Sequence, residues 1–272
     1  MRRVYISADI EGIEGIVSER QIAPDSGGYE RACRRLTLDV NAAIDAALDF
    51  GMEEIVVCDG HGYGENLLIE ELRPEATLIS GRTCPSLQLQ GIDRSFSALV
   101  IFGHAGAGLT VGGVLDHTFS SSKVYNLRFN GRTINSEIVV NAIEAGYYGV
   151  PLVAVIGDRA AVIQAKEYVP GVQGVVVKRG ITRYSAESLH PDRCRHIIRE
   201  GVSKGLSRSA EIAPLRLDTP LSIEIDYVKS SYADTAELVP GVRRLAARTV
   251  EYRGDPEDVF PLLTLLVVRL GE

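Results

Sequence analysis

Apolar residues recur along this chain in two periods, and the alternation between them predicts its architecture. Over 29–50, Ala32, Leu36, Val40, Ala43, Ile44, Ala47 and Leu48 repeat at helical spacing. They predict a helix from Tyr29 to Phe50, capped by Asp25 or Ser26 and stopped by Gly51. On either side lie short unbroken apolar runs, Val4–Ala8 and Glu54–Asp59, of the kind that forms strands buried on both faces. A strand, a helix and a second strand make a parallel pair. Ala76–Ser80, Ala98–Phe102 and Pro151–Ile156 are further runs of this kind, so the fold is expected to be α/β, a mostly parallel sheet flanked by helices.

The later pattern is more mixed. Val124–Phe129 and Arg132–Ile134 flank Asn130-Gly131, a dipeptide suited to a type I′ hairpin turn. Asn135 or Ser136 is placed to cap a helix with Glu137 in its first turn. A strand Val175–Val177, a helix Pro191–Gly205, an alternating strand Leu221–Tyr227 and an amphipathic helix after Pro256 suggest a smaller C-terminal α+β lobe. The turn-rich stretches 179–188 and 207–220 read as linker-like. The expected division is a metal-binding α/β domain over 1–165 and a smaller α+β domain over 166–272.

Composition narrows the partners. A chain of 272 residues with 29 basic and 36 acidic side chains carries a net charge of -7, which disfavours phosphate backbones, so no nucleic-acid partner is expected. No apolar run reaches the roughly 18 residues of a membrane span, and Met1-Arg2-Arg3 leads directly into a strand without a signal-peptide core, so no membrane is expected and the cytoplasm is the expected location. Cys33, Cys58, Cys84 and Cys194 lack C-x-x-C spacing and are expected to be buried reduced thiols.

The chemistry lies at the strand ends. Asp9 and Glu11 follow the first strand at i, i+2, a spacing that puts both carboxylates on one side of an extended segment. Two anions held there attract a cation or force one to keep a proton. His61 follows the second strand within Gly60-His61-Gly62, and His104 follows the fourth within Gly103–Gly108. Open parallel sheets bind ligands beyond their carboxyl ends, so Asp9, Glu11, His61 and His104 are expected to converge. A set of Asp, Glu and His without Cys suits zinc, manganese or iron(II). The Gly103–Gly108 loop also admits a second class, a metal-free nucleotide-binding regulator, although no Lys-[ST] follows it.

These residues resemble the D-aminopeptidase family of dinuclear zinc peptidases. The likeness runs through Asp9-Ile10-Glu11-Gly12, Asp59-Gly60-His61, Gly103-His104-Ala105, His117-Thr118, Glu137 with Asn141 and Gly146-Tyr147-Tyr148, Gly157-Asp158-Arg159, Val177-Lys178 and Leu221–Ile225. The resemblance implies Asp9, Glu11, His61, His104 and Glu137 as ligands of two Zn²⁺ per chain, with Asp9 bridging, and His117 as the catalytic residue. It implies hydrolysis of short peptides or amides from the N-terminus with preference for D-amino acids, and self-association into a ring-like homo-oligomer, a decamer. His117 would act as proton shuttle, oxyanion stabiliser or nucleophile. Asp59 and Asn141 are candidates to orient the ligands from behind. Gly60, Gly62, Gly106 and Gly108 depart from the family pattern around the site and leave the ligands intact. A two-metal hydrolase of another amide or phosphoester, or an inactive ring scaffold, would share the same ligand set.

Overall fold

The structure, a computed structural model, describes residues 2–82, 86–108 and 110–270. In chain order it runs β1 (Arg3–Ala8), α1 (Tyr29–Asp49), β2 (Glu54–Asp59), β3 (Ala76–Ile79), β4 (Ala98–His104), β5 (Val124–Phe129) and β6 (Arg132–Thr133). It continues with α2 (Glu137–Tyr147), β7 (Leu152–Asp158), α3 (Arg159–Tyr168), β8 (Gln173–Thr182), β9 (Ser185–Ser188) and α4 (Pro191–Ser207). β10 (Leu221–Tyr227), α5 (Ser230–Ala236), β11 (Arg243–Ala246), β12 (Thr249–Gly254) and α6 (Pro256–Thr264) complete it.

Among the described residues these strands form two sheets. The larger has the order β3-β2-β1-β4-β7-β8-β9 and is parallel except for the β8–β9 hairpin. β1, β2, β4 and β7 are buried almost throughout, because helices cover both faces, which accounts for their unbroken apolar sequences. Chain order reverses direction at β1, with β2 on one side and β4 on the other, and such a switch point opens a crevice at the strands' carboxyl ends.

The smaller sheet, β11-β12-β10-β5-β6, is antiparallel. In β10 the buried Leu221, Ile223, Ile225 and Tyr227 alternate with half-buried polar residues, so one face packs inward. On the other face Arg128 of β5 pairs with both Glu224 and Asp226. Asn130 and Gly131 both have positive φ (47° and 77°), as the I′ turn requires.

α2 joins the two layers. Ile138, Ala142 and Ala145 pack into the core of the large sheet, whereas Val139, Val140 and Ile143 pack into the core of the small one. A helix apolar on all sides belongs between two surfaces, and Glu137 through Gly146 are all buried.

Some local expectations are corrected. The 179–188 stretch is the β8–β9 hairpin, not a linker; its polar, turn-rich composition reflects an edge strand exposed on one side. Gly28, not Asp25 or Ser26, caps α1, and Ser136 stands at the α2 N-cap without a side-chain bond, while Asn135 Oδ1 accepts from the backbone of Leu127 at 2.7 Å. Cys33, Cys58 and Cys194 are buried free thiols; Cys84 lies outside the described residues. The sheets interleave along the chain: β5 and β6 precede residue 165 yet join the small sheet, and β8 and β9 follow it yet join the large one. A division at 165/166 is therefore not the division between the sheets.

Behind the large sheet, Asp39 of α1 and Glu14 are buried against each other, with Arg195 Nη1 3.6 Å from Asp39 and Arg35 Nε 3.6 Å from Glu14. With both ionised, their oxygens have no donor between them; a proton on Asp39 supplies one. Burial, reinforced by Glu14, pushes the Asp39 carboxyl up to about 9. The native state thus binds a proton that the unfolded chain releases near pH 4, and stability falls as pH rises between those values. Asp39→Asn removes this titration. Thermal unfolding in chelator from pH 5 to 9 should show the variant gaining on the wild type as pH rises, and a constant difference would refute the proton-sharing pair.

Candidate metal centre

The centre begins where β1 stops. Gly12 and Gly103 let the ends of β1 and β4 touch: a Cβ on Gly12 would lie 2.0 Å from the His104 carbonyl oxygen, and one on Gly103 would lie 1.8 Å from that of Asp9. Gly103 also has φ +77°. The Asp9 amide donates to Phe102 O at 2.8 Å, which fixes the carboxylate beside β4. Behind the same turn, buried Lys178 of β8 donates to the carbonyls of Glu11 and, at 2.7 Å, Ile16. Burial lowers this ammonium to about 8, against the pull of Asp158, Glu11 and Glu14.

Asp9 faces two groups at once. Its Oδ1 lies 3.1 Å from His61 Nδ1, which is also 3.1 Å from Glu11 Oε1. Its Oδ2 lies 3.2 Å from His104 Nδ1, which is 3.5 Å from Glu137 Oε2. Asp9, Glu11 and His61 form one triad of converging ligand atoms, and Asp9, His104 and Glu137 form the other. Around a tetrahedral zinc with bonds of about 2.0–2.1 Å, adjacent donors stand about 3.3 Å apart, so this spacing fits an ion in each triad. Glu11 Oε2 is buried and has no hydrogen-bond partner among the described residues, as expected of an oxygen meant for a cation.

His61 and Glu137 are held from behind. His61 Nε2 lies 3.2 Å from Ile22 O, so the outer N–H donates to a carbonyl and leaves Nδ1 for the centre. Glu137 opens α2, where Gln88 Nε2 donates to its Oε2 at 2.6 Å and the Phe119 amide to its Oε1 at 2.7 Å. Asn141, one turn on, orients Gln88 by donating to its Oε1 at 2.6 Å. Asp158, capping α3, accepts from the amides of Gly106 (3.1 Å) and Val114 (3.0 Å) and so fastens the segments carrying His104 and His117.

His117 stands beside both triads and belongs to neither. Its Nδ1 donates to Leu115 O at 2.9 Å, which leaves the Nε2 lone pair facing Glu137 Oε1 at 3.6 Å and Glu11 Oε1 at 3.9 Å.

The electrostatics describe an anionic nest. Burial, then Glu11, raise the Asp9 carboxyl to about 7. Burial also opposes ionisation of Glu137, yet His104 and His117 together bring it down to about 2, and His61 likewise holds Glu11 well below the usual carboxylate range. Burial would lower all three imidazoles, but the carboxylates raise each of them. Without a cation the carboxylates keep their charge only by drawing protons onto their neighbours.

All six residues expected at the site are brought together. Two supporting expectations are corrected: Asp59 accepts from Asn66 N, Asn66 Nδ2 and Leu67 N, not from an imidazole, and Asn141 acts through Gln88. Gln88, in a short 3₁₀ turn, is a support that no motif marked, whereas Lys178 and Asp158 lie in stretches that carry the family likeness although no supporting role was expected of them.

The chain is similar to known proteins over almost its whole length. The D-aminopeptidase family profile matches residues 1–265. A D-aminopeptidase of Bacillus subtilis (strain 168) is 31% identical over 255 residues, covering 92% of this chain and 91% of that protein. The solved structure of the Zn-dependent D-aminopeptidase DppA from Bacillus subtilis, described as a self-compartmentalizing protease, superimposes with a TM-score of 0.94 at 30% identity, covering 98% of this chain and 97% of that one. This chain belongs to the D-aminopeptidase family.

Proposed function

We propose that this chain is a dinuclear zinc aminopeptidase that hydrolyses short peptides or amides from the N-terminus, with preference for D-residues. The observation that carries the reading is the division of Asp9's two oxygens between two triads of ligand atoms. Asp9, Glu11 and His61 would hold one ion, and Asp9, His104 and Glu137 the other. Zinc in such a pair polarises a scissile carbonyl and brings the pKa of a water toward neutrality. The family match and the zinc dependence of the superimposable Bacillus protein support both the metal and the activity.

His117 supplies what the ligands cannot. Its Nδ1–H is committed to Leu115 O, so Nε2 is the atom that takes up or delivers a proton at the edge of the centre. We assign it the proton transfer to the leaving amine. Its segment is tethered through Asp158 and through the Gly108 amide, which donates to His117 O at 3.0 Å, so the imidazole approaches from a fixed direction.

The self-compartmentalizing relative supports self-association here too, and we infer that the assembly is a ring-like decamer. No helix among the described residues is long and apolar enough to cross a membrane, which is compatible with the proposed cytoplasmic location.

Elemental analysis of the purified protein should find close to two zinc ions per chain; a metal-free protein that added zinc does not activate would overturn the reading. Asp9→Ala should lose both ions and His61→Ala mainly one, so equal losses would count against Asp9 as the shared ligand. His117→Ala should keep both ions while kcat falls by roughly two to four orders of magnitude with KM little changed. Loss of metal in that variant would make His117 a ligand, and near-normal turnover would remove it from the mechanism.

A further inference from the structure

A cleft of about 490 Å³ opens at the far end of α2, well within the roughly 300–1,000 Å³ typical of small-molecule sites. Tyr147, which lines it, stands ten residues along the helix from Glu137, a distance of about 15 Å. The cleft is therefore separate from the metal centre and shares no residue with either triad. Gly146, just before the two tyrosines, has no room for a side chain, since a Cβ there would lie 1.8 Å from Leu215 O. That close approach lets Arg216 Nε donate to Gly146 O at 3.0 Å and holds Arg216 and Leu217 against the end of α2.

The lining joins an apolar body to a cationic rim. Leu217, Leu221 of β10 and Phe260 of α6 supply apolar surface, and the rings of Tyr147 and Tyr148 meet edge to face with centroids 5.1 Å apart, a stiff aromatic wall. Arg94 and Arg216 line the cleft, and among the described residues no acid does. Arg94, from the loop before β4, makes no hydrogen bond or ion pair among the described residues. Arg216 has committed its Nε, and its two terminal nitrogens keep their donors. The acids nearest this end of α2 are engaged elsewhere. Glu257 accepts from the Tyr147 hydroxyl at 2.5 Å, Asp93 accepts from the Ser95 amide at 2.7 Å, and Glu144 is buried.

We propose that this cleft binds a small monocarboxylate with an aromatic or branched apolar body, the carboxylate taken by Arg94 and the terminal nitrogens of Arg216 and the body laid against Tyr148, Leu217 and Phe260. A guanidinium presents paired N–H donors that match the two oxygens of a carboxylate, and one negative charge suits a cleft whose remaining walls are apolar or aromatic. The apolar surface supplies affinity, and the two arginines supply selection for the anion. The inference goes beyond the aminopeptidase reading and does not depend on it.

The test titrates 3-phenylpropionate and its neutral counterpart 3-phenylpropanamide into the zinc-loaded protein by calorimetry. A carboxylate can also meet the metals, so the binding that counts is the part removed by changes at the cleft. The acid should bind saturably and the amide at least 10-fold more weakly. Arg94→Gln should weaken the acid roughly 10-fold, the worth of one charge-assisted hydrogen bond, and leave the amide unchanged; Arg94→Gln/Arg216→Gln should weaken the acid further. Zinc content and thermal midpoint at wild-type levels show that both variants are folded. No saturable binding of the acid, equal affinity for acid and amide, or an acid affinity that the double variant leaves unchanged would overturn the site.

Discussion

Burying Asp9 with an imidazole on each side is the constraint on which the rest of the molecule depends. A carboxylate that is 4% exposed and has Glu11 beside it cannot stay ionised for nothing, and the rise of its pKa to about 7 measures that cost. Two divalent cations would relieve it, provided that four other side chains arrive at fixed angles. The central position of β1, flanked by β2 and β4 in parallel register, brings the loops of His61 and His104 to the same end of the sheet as Asp9. Gly12 and Gly103 then permit a backbone approach that any side chain would block. Lys178 returns one positive charge from below and fixes the carbonyls of the turn.

The fifth candidate ligand comes from a different direction, and this explains the second lobe. Glu137 belongs to α2, a helix buried on all sides because the small sheet covers the face that the large sheet leaves open. A helix clamped between two cores has little freedom to move its first turn, so Glu137 is placed by packing before any ion binds. The small lobe is thus part of the centre without contributing a ligand from its own strands.

Much of this was legible in the residues. Asp9, Glu11, His61 and His104 follow buried strands directly, and the rule that parallel sheets bind at their carboxyl ends is enough to bring them together. Glu137 was not legible from pattern alone, since an acid in the first turn of a helix is ordinary, and it became a candidate through family resemblance. Gln88 was invisible because it reaches Glu137 across 49 positions of sequence from a short 3₁₀ turn. The β8–β9 hairpin looked like a linker because its residues are polar and only one edge is paired; composition reports exposure and says nothing of the pairing on the other side. The interleaving of the sheets was hidden for a related reason. β5 and β6 precede the strand that completes the large sheet, and sequence order carries no mark of which sheet a hairpin will join.

Gln88 and Phe119 fix Glu137 from outside the sheet. Each lines a cavity of about 330 Å³ and donates to Glu137. The Gln88 bond is buried and the Phe119 bond partly so, and a charge-assisted hydrogen bond strengthens as the local dielectric falls. Without these two donors Glu137 would rely for its orientation on the more distant His104 and His117 imidazoles. The orientation of Glu137 therefore depends on donors from loops, while Asp9, Glu11, His61 and His104 are placed by the ends of β1, β2 and β4 in the sheet.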